Sequence, residues 1–156
     1  ILGEGALRDP LPRLVHEHRL EKHVFLPGFR TDILGCIKAF DLFVMSSVTE
    51  GLGTSLLDAM ACRKAIVASR TGGIPEVVAD GRNGLLVEPR DAKALAAAML
   101  ALLTAAERRD AMAATGDAMV RDRFTVERMV AGTAAIYDQL VGTRRAAGTA
   151  RPAVRA

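Results

Sequence analysis

Two acids, Glu50 and Asp58, bracket a glycine-spaced stretch in the run Ser46-Ser47-Val48-Thr49-Glu50-Gly51-Leu52-Gly53-Thr54-Ser55-Leu56-Leu57-Asp58-Ala59-Met60. The apolar Asp41-Leu42-Phe43-Val44-Met45 before it has strand character, and Ser55 to Cys62 after it is helix-forming. Strand, glycine bend and helix in that order build an anion site, because the first amides of the helix lack intrahelical acceptors and point into the bend. Gly51 and Gly53 let the backbone approach a ligand with no Cβ in the way. Asp58 falls roughly 7 Å along the helix axis from its start. It lies outside the stripe of Leu56, Leu57, Met60 and Ala61 that is expected to be buried. An acid, phosphate-seeking amides and a second acid suit a nucleotide-sugar, with sugar hydroxyls at Glu50, the diphosphate at the amides and the ribose at Asp58. Spacing alone equally admits two solvated acids around an ordinary strand-to-helix turn.

Positioning these residues requires alternating strands and helices. Ile1-Leu2-Gly3-Glu4-Gly5 reads as the last step of a strand and its turn, followed by a helix over Ala6 to Leu20 with Pro10 and Pro12 tolerated in an early turn. His23 to Leu26 reads as a short buried strand broken by Pro27-Gly28, and Phe29-Arg30 lead to a short helix capped by Thr31 or Asp32. After the central motif, Ala65 to Ser69 is a β-rich run, and Thr71-Gly72-Gly73-Ile74-Pro75 opens a short helix with Glu76 in its first turn. Asp80 to Gly84 is a turn, Gly84 to Val87 a last strand, and Asp91 the cap of a helix reaching Leu103. Helices over about Ala106 to Asp122 and Val126 to Val141 complete one domain, 1–141, and 142–156 is expected to be a disordered basic tail. The class is α/β with a doubly wound parallel sheet and ligands at the strand carboxyl ends. Gly3, Gly28, Ser46 to Gly53 and Thr71 to Gly73 are therefore expected to converge on one edge. Gly3-Glu4-Gly5 is a weak dinucleotide signal, since Arg8 occupies the third glycine position.

Thr49 to Asp58, then Ala59-Met60-Ala61-Cys62, Ala65-Ile66-Val67-Ala68-Ser69 and Gly72-Gly73-Ile74-Pro75-Glu76-Val77-Val78, resembles the C-terminal half of the GT4-type, GT-B-fold retaining glycosyltransferases (glycosyl transferases group 1). Their signature is a Glu, seven residues and a Glu, and the likeness runs from Ile1 to about Tyr137. Here the second acid is Asp58, and Arg63-Lys64 stands where the family usually has a glycine first. The resemblance implies a Rossmann-like sheet of order 3-2-1-4-5-6, of which this chain lacks the first, central strand. It implies a nucleotide-sugar donor as substrate, UDP- or GDP-linked, with no cofactor and no metal. Glu50 would be catalytic, holding and polarising the sugar, with Gly51, Leu52, Gly53, Thr54 and Asp58 on the donor. The loop of Gly28, Phe29 and Arg30 would meet the nucleotide base, and Gly72 and Gly73 would lie beside the sugar. The family's basic pair that grips the phosphates and its acceptor groups fall upstream of Ile1. The expected partners are thus an acceptor (glycan, lipid or small molecule) and an N-terminal domain of the same protein, and the fragment alone is expected to be inactive.

The bounds agree with an enzyme half more than with other classes. The chain has 156 residues and 50% hydrophobic content, enough for one domain with a core. No stretch approaches the ~18 apolar residues of a membrane span, and no signal-peptide pattern opens the chain. The net charge of +3 belongs to Arg144, Arg145, Arg151 and Arg155, which leaves a body near neutral. Without a basic stripe, and with 4% aromatic residues, nucleic-acid binding is disfavoured. Cys36 and Cys62 are expected to stay reduced in a cytoplasmic setting, with a peripheral membrane association left open for the full-length form. His16 and His18 point in different directions on a helix and make poor metal partners. Two other functions remain open: a non-catalytic nucleotide-binding or scaffolding module, and a GT-B-fold nucleotide-sugar epimerase.

Overall fold

The computed structural model describes residues 1–6 and 8–148, with side chains described through residue 142. Three apolar runs form strands β1 (Leu42–Met45), β2 (Ala65–Ser69) and β3 (Gly84–Val87). They make a parallel sheet of order β1-β2-β3, in register at Val44↔Val67 and Val67↔Leu85. All five residues of β2 are buried, which is why it reads as an uninterrupted apolar run: a central parallel strand is covered on both faces.

The alternation of β2 divides the core in two. Ile66 and Ala68 face a layer built from Ile37, Leu56, Ala59, Met60, Ile74, Val77 and Val78. Ala65 and Val67 face Leu102, Met112 and Ala113 on the other side. The first layer comes from helices α2 (Ile33–Lys38), α3 (Thr54–Ala61) and α4 (Ile74–Val77), the second from α5 (Ala92–Leu103) and α6 (Ala106–Arg123). Helix α6 also reaches the first layer, because Gly116 lets it lie against Met60, where a Cβ would stand 3.1 Å from Met60 Cγ. Asp91 caps α5 as its sequence predicts, accepting from the Ala94 amide at 2.9 Å. In α3 the buried stripe is Leu56, Ala59 and Met60. Ala61, expected in that stripe, is exposed, since i, i+3, i+4 spacing from Leu56 selects Ala59 instead.

The N-terminal part departs from expectation. Helix α1 covers only Pro10–Glu17, because Pro10 starts it at the first helical position and a helix begun at Ala6 would drive the proline ring into a preceding carbonyl. Arg19, in the left-handed region at φ 55°, stops it before Leu20. Neither Ile1 to Gly3 nor His23 to Leu26 is a strand. Among the described residues they are joined only by the Ile1 amino group donating to Phe25 O at 2.6 Å, with one isolated parallel bridge just beyond, Leu2↔Gly28. A two-segment pairing has no sheet face to lie on and is marginal, and Ile1 and Phe25 are 68% and 69% exposed. The outer edge of β1 has no strand partner among the described residues.

Helix α7 (Val126–Gly148) continues past Val141, so 142–148, expected to be disordered, is helical, while 149–156 lies outside the described residues. Val126, Met129, Val130, Ile136, Tyr137 and Leu140 recur along α7 and are all exposed. Among the described residues no helix is long and apolar enough to cross a membrane.

The end of β2 is tied to β3 by ionic bonds. Arg70 Nη2 donates to Asp80 Oδ2 at 2.6 Å and its Nε lies 3.5 Å from Glu88, while Asp80 Oδ1 accepts from the Leu86 amide at 3.0 Å. The Leu86 amide, and behind it the Arg70 guanidinium, hold the Asp80 carboxyl below its ordinary value of 3.8. A carboxyl depressed on folding stabilises the native state above its unfolded pKa and loses that contribution as pH falls through the folded one. Asp80→Asn is therefore expected to melt lower than wild type at about pH 7, with the difference shrinking as pH falls through and below the ordinary carboxylate range. Thermal melting of both proteins across that range checks this; an equal gap at both ends would remove Asp80 as the source.

Candidate functional site

The loops leaving β1 and β2 meet at the carboxyl ends of the strands. The first, residues 46–53, ends at Gly53, which precedes α3 in the left-handed conformation (φ 75°) and offers no capping side chain. No acid lies in the first turn of α3, so its amino end keeps its partial positive charge and its free amides. The second loop, Thr71 to Gly73, leans directly on the first. The Gly73 amide donates to Gly51 O at 2.6 Å, and Thr71 Oγ1 donates to Val48 O at 2.9 Å.

Two of the glycines have a physical reason unrelated to any ligand. A Cβ on Gly72 would stand 1.8 Å from Glu50 O, and one on Gly73 2.4 Å from Gly51 O. Only glycine permits this backbone approach. Gly51 is different, because a Cβ there would meet nothing within 4 Å. Its lack of a side chain answers no demand of the protein's own packing.

Glu50 is half-buried between these loops. Its Oε2 accepts from Ser47 Oγ at 3.2 Å and its Oε1 from the Gly51 amide at 3.2 Å. No cation pairs with it among the described residues. An ionised carboxylate offers about four acceptor positions, so it keeps room for two hydroxyl donors from outside. Asp58, one turn into α3, is exposed and points away from the core. Leu52 and Thr54 are exposed at the helix entrance.

The loop of Gly28, Phe29 and Arg30 has contacts of its own. It pairs with the N-terminal turn, Gly28 O accepting from the Gly3 amide at 2.9 Å, and Phe29 is 71% exposed. Arg30 donates from Nε and Nη2 to the two oxygens of Asp32 at 2.7 and 2.5 Å. That pairing takes up the Asp32 side chain, which makes no capping bond to α2, lowers the Asp32 pKa and raises that of Arg30. The structure thus brings Glu50, Gly51, Gly53, Gly72 and Gly73 together where the two loops meet, with Asp58 on the helix beside them. Hydrogen bonds join the loops leaving β1 and β2, and none links the loops at Gly3 and Gly28 to them among the described residues.

Ser47 and Thr71 are the site residues that residue-type reasoning passed over. Ser47 stands three before Glu50, the S-x-x-E spacing of a hydroxyl and an acid that can reach each other. No such local signal marks Thr71, whose partner Val48 is 23 positions away.

Comparison with known proteins is consistent with this geometry. The sequence model of the family described as glycosyl transferases group 1 matches residues 1–119. An uncharacterized glycosyltransferase of Methanocaldococcus jannaschii is 30% identical over 142 residues, covering 90% of this chain and 40% of the relative. The N-acetyl-alpha-D-glucosaminyl L-malate synthase of Bacillus anthracis is 30% identical over 137 residues, covering 88% of this chain and 36% of the relative. Crystal structures of the Anabaena protein HepE superpose at TM-scores of 0.82 in complex with UDP and 0.81 in complex with UDP-glucose. Identity to the first is 28%, over 88% of this chain and 40% of HepE. The chain spans well under half the length of each of these relatives.

The contrast among the glycines is testable by melting. Gly72→Ala must open the loop contact at a left-handed position (φ 52°) and is expected to cost about 1–3 kcal/mol or more. Gly51→Ala is expected to leave the melting temperature within error. A large loss for Gly51→Ala would show that its backbone is held in a way the open space around it does not reveal.

Proposed function

The chain belongs to the glycosyl transferases group 1 family, and from that premise we propose that it is the donor-binding half of a retaining glycosyltransferase moving a sugar from a nucleotide-sugar to an acceptor. The observation that carries this reading is the uncompensated Glu50 carboxylate set beside the uncapped amino end of α3. A carboxylate repels a diphosphate and a helix amino end attracts one. A ligand spanning both must present neutral donors to Glu50 and its anionic part to the amides of 53–55, which is the order of groups in a nucleotide-sugar. HepE, with UDP or UDP-glucose bound, supports a uridine-linked donor.

In this reading Glu50 holds and polarises the sugar, and Gly51, Leu52, Gly53 and Thr54 receive the diphosphate. The amides share the charge that develops on the leaving group as the bond from the anomeric carbon breaks, a stabilisation worth most where it is already oriented. Gly51 leaves the space in which phosphate can reach those amides. Asp58 accepts from the ribose, and Gly72 and Gly73 form the wall beside the sugar. Gly28, Phe29 and Arg30 are assigned to the base; the exposed Phe29 ring is free to stack. Arg63, where the family usually has glycine, sits in the left-handed position (φ 56°) just beyond α3, at the end away from the Glu50 loop. Its strain is a matter of helix termination, so it gives no support to a module that has lost catalysis.

In the full-length enzyme, Glu50→Gln is expected to lower kcat by about 100-fold, as loss of one oriented electrostatic group does, with little change in UDP affinity. Steady-state kinetics beside calorimetric titration of UDP check it, and wild-type values for both would leave Glu50 a surface acid. Asp58→Ala is expected to weaken UDP binding by about 1 kcal/mol or more, the worth of a hydrogen bond to a charged group, while Asp58→Glu retains it. Unchanged affinity in Asp58→Ala would move the ribose elsewhere.

A further inference from the structure

We propose that Ser47 and Thr71 are positioning residues for Glu50, acting as a pair of hydroxyl ties that set where its carboxylate stands over the sugar. The inference rests on the sugar-side role proposed for Glu50 and deepens it. Residues 46–53 form an eight-residue connection between β1 and α3, and Glu50 sits in its middle, where a loop has most freedom. Three things remove that freedom. Thr71 Oγ1 donates to Val48 O at 2.9 Å, fixing the backbone two residues before Glu50. The Gly73 amide donates to Gly51 O at 2.6 Å, fixing the backbone just after it. Ser47 Oγ donates to Glu50 Oε2 at 3.2 Å, opposite the Gly51 amide on Oε1 at 3.2 Å, so the side chain, with three rotatable bonds, is held at its far end as well.

The platform for these ties is rigid. Thr71 follows Arg70, whose amide donates to Val87 O at 2.7 Å and whose guanidinium is held by Asp80 and Glu88. The Thr71 hydroxyl therefore transmits the position of the sheet edge to Val48 and so to Glu50. Neither hydroxyl has a second hydrogen-bond partner among the described residues. Misplacing a polarising group by about 1 Å can cost on the order of 100-fold in rate, so a single tie of this kind has a kinetic consequence out of proportion to its stability.

The test uses the full-length enzyme with Ser47→Ala, Ser47→Thr, Thr71→Val and Thr71→Ser, each alone and the two hydroxyl-removing variants also in a Glu50→Gln background. Ser47→Ala and Thr71→Val are expected to lower kcat about 10-fold with UDP affinity and donor KM within twofold of wild type. Ser47→Thr and Thr71→Ser, which keep the hydroxyl, are expected to recover most of the rate. In the Glu50→Gln background the same two changes are expected to cost less than twofold more, because there is no longer a carboxylate to position. Additive losses in that background, or loss of rate in the hydroxyl-keeping variants, would make the two residues merely structural and overturn the inference. Wild-type kcat in Ser47→Ala and Thr71→Val, with Glu50→Gln impaired, would overturn it while leaving Glu50 in place. Wild-type kcat in Glu50→Gln itself would instead overturn the reading on which it rests. Should Thr71→Val fail to fold, Ser47→Ala and its Glu50→Gln cycle decide alone.

Discussion

The burial of β2 on both faces is the constraint from which the rest follows. Five consecutive residues, Ala65 to Ser69, have no solvent side, so each face needs its own helical layer. Leu56, Ala59 and Met60 of α3 supply one, and Leu102, Met112 and Ala113 of α5 and α6 the other. Because the strands are parallel, each must be followed by a crossover, and every crossover begins at the same sheet edge. That edge is where β1 releases the Glu50 loop and β2 the Thr71 loop. The site is a by-product of connectivity before it is an arrangement of functional groups.

What turns two neighbouring loops into a site is the closeness of their backbones. Gly72 and Gly73 are packed onto Glu50 and Gly51 at distances a single Cβ would forbid. The contact leaves no room for a side chain at Gly72 and Gly73, and the half-buried Glu50 carboxylate stands beside it. Opposite charges are thereby separated in space. The acid stands on the loop and the positive end of a peptide dipole stands at the start of α3. A ligand with one neutral, hydroxyl-rich end and one anionic end matches that separation, which is why the family membership and the geometry support the same chemistry.

The N-terminal segment shows the opposite situation. Its apolar residues have strand character, yet among the described residues they form no strand and one isolated bridge, Leu2 to Gly28, and α1 buries none of its residues. Strand propensity expresses fit to a pleated, half-buried surface and has little force without one. Among the described residues the β1 edge has no strand partner, and the loop at Gly28 rests on the N-terminal turn with no hydrogen bond to the Glu50 loop. The relatives this chain matches are more than twice its length.

Much of the architecture was legible in the residues themselves. The apolar runs at 42–45, 65–69 and 84–87, the helix starts at Asp91 and the glycine bend at 51–53 all appear where local pattern puts them, because each depends on neighbours within a turn or on a period along the chain. The family resemblance carried by Glu50, Asp58 and Gly72-Gly73 was legible for the same reason: it lies in the order of residues. Tertiary structure alone decided that His23 to Leu26 is no strand and that Thr71 holds the Glu50 loop through Val48. It alone also revealed that Gly72 and Gly73 are glycines for the sake of another loop while Gly51 is not. These facts join residues some 20 positions or more apart, or depend on what a segment has to lie against. No local period or propensity encodes such a contact, since its energy exists only once both partners have been brought to the same place.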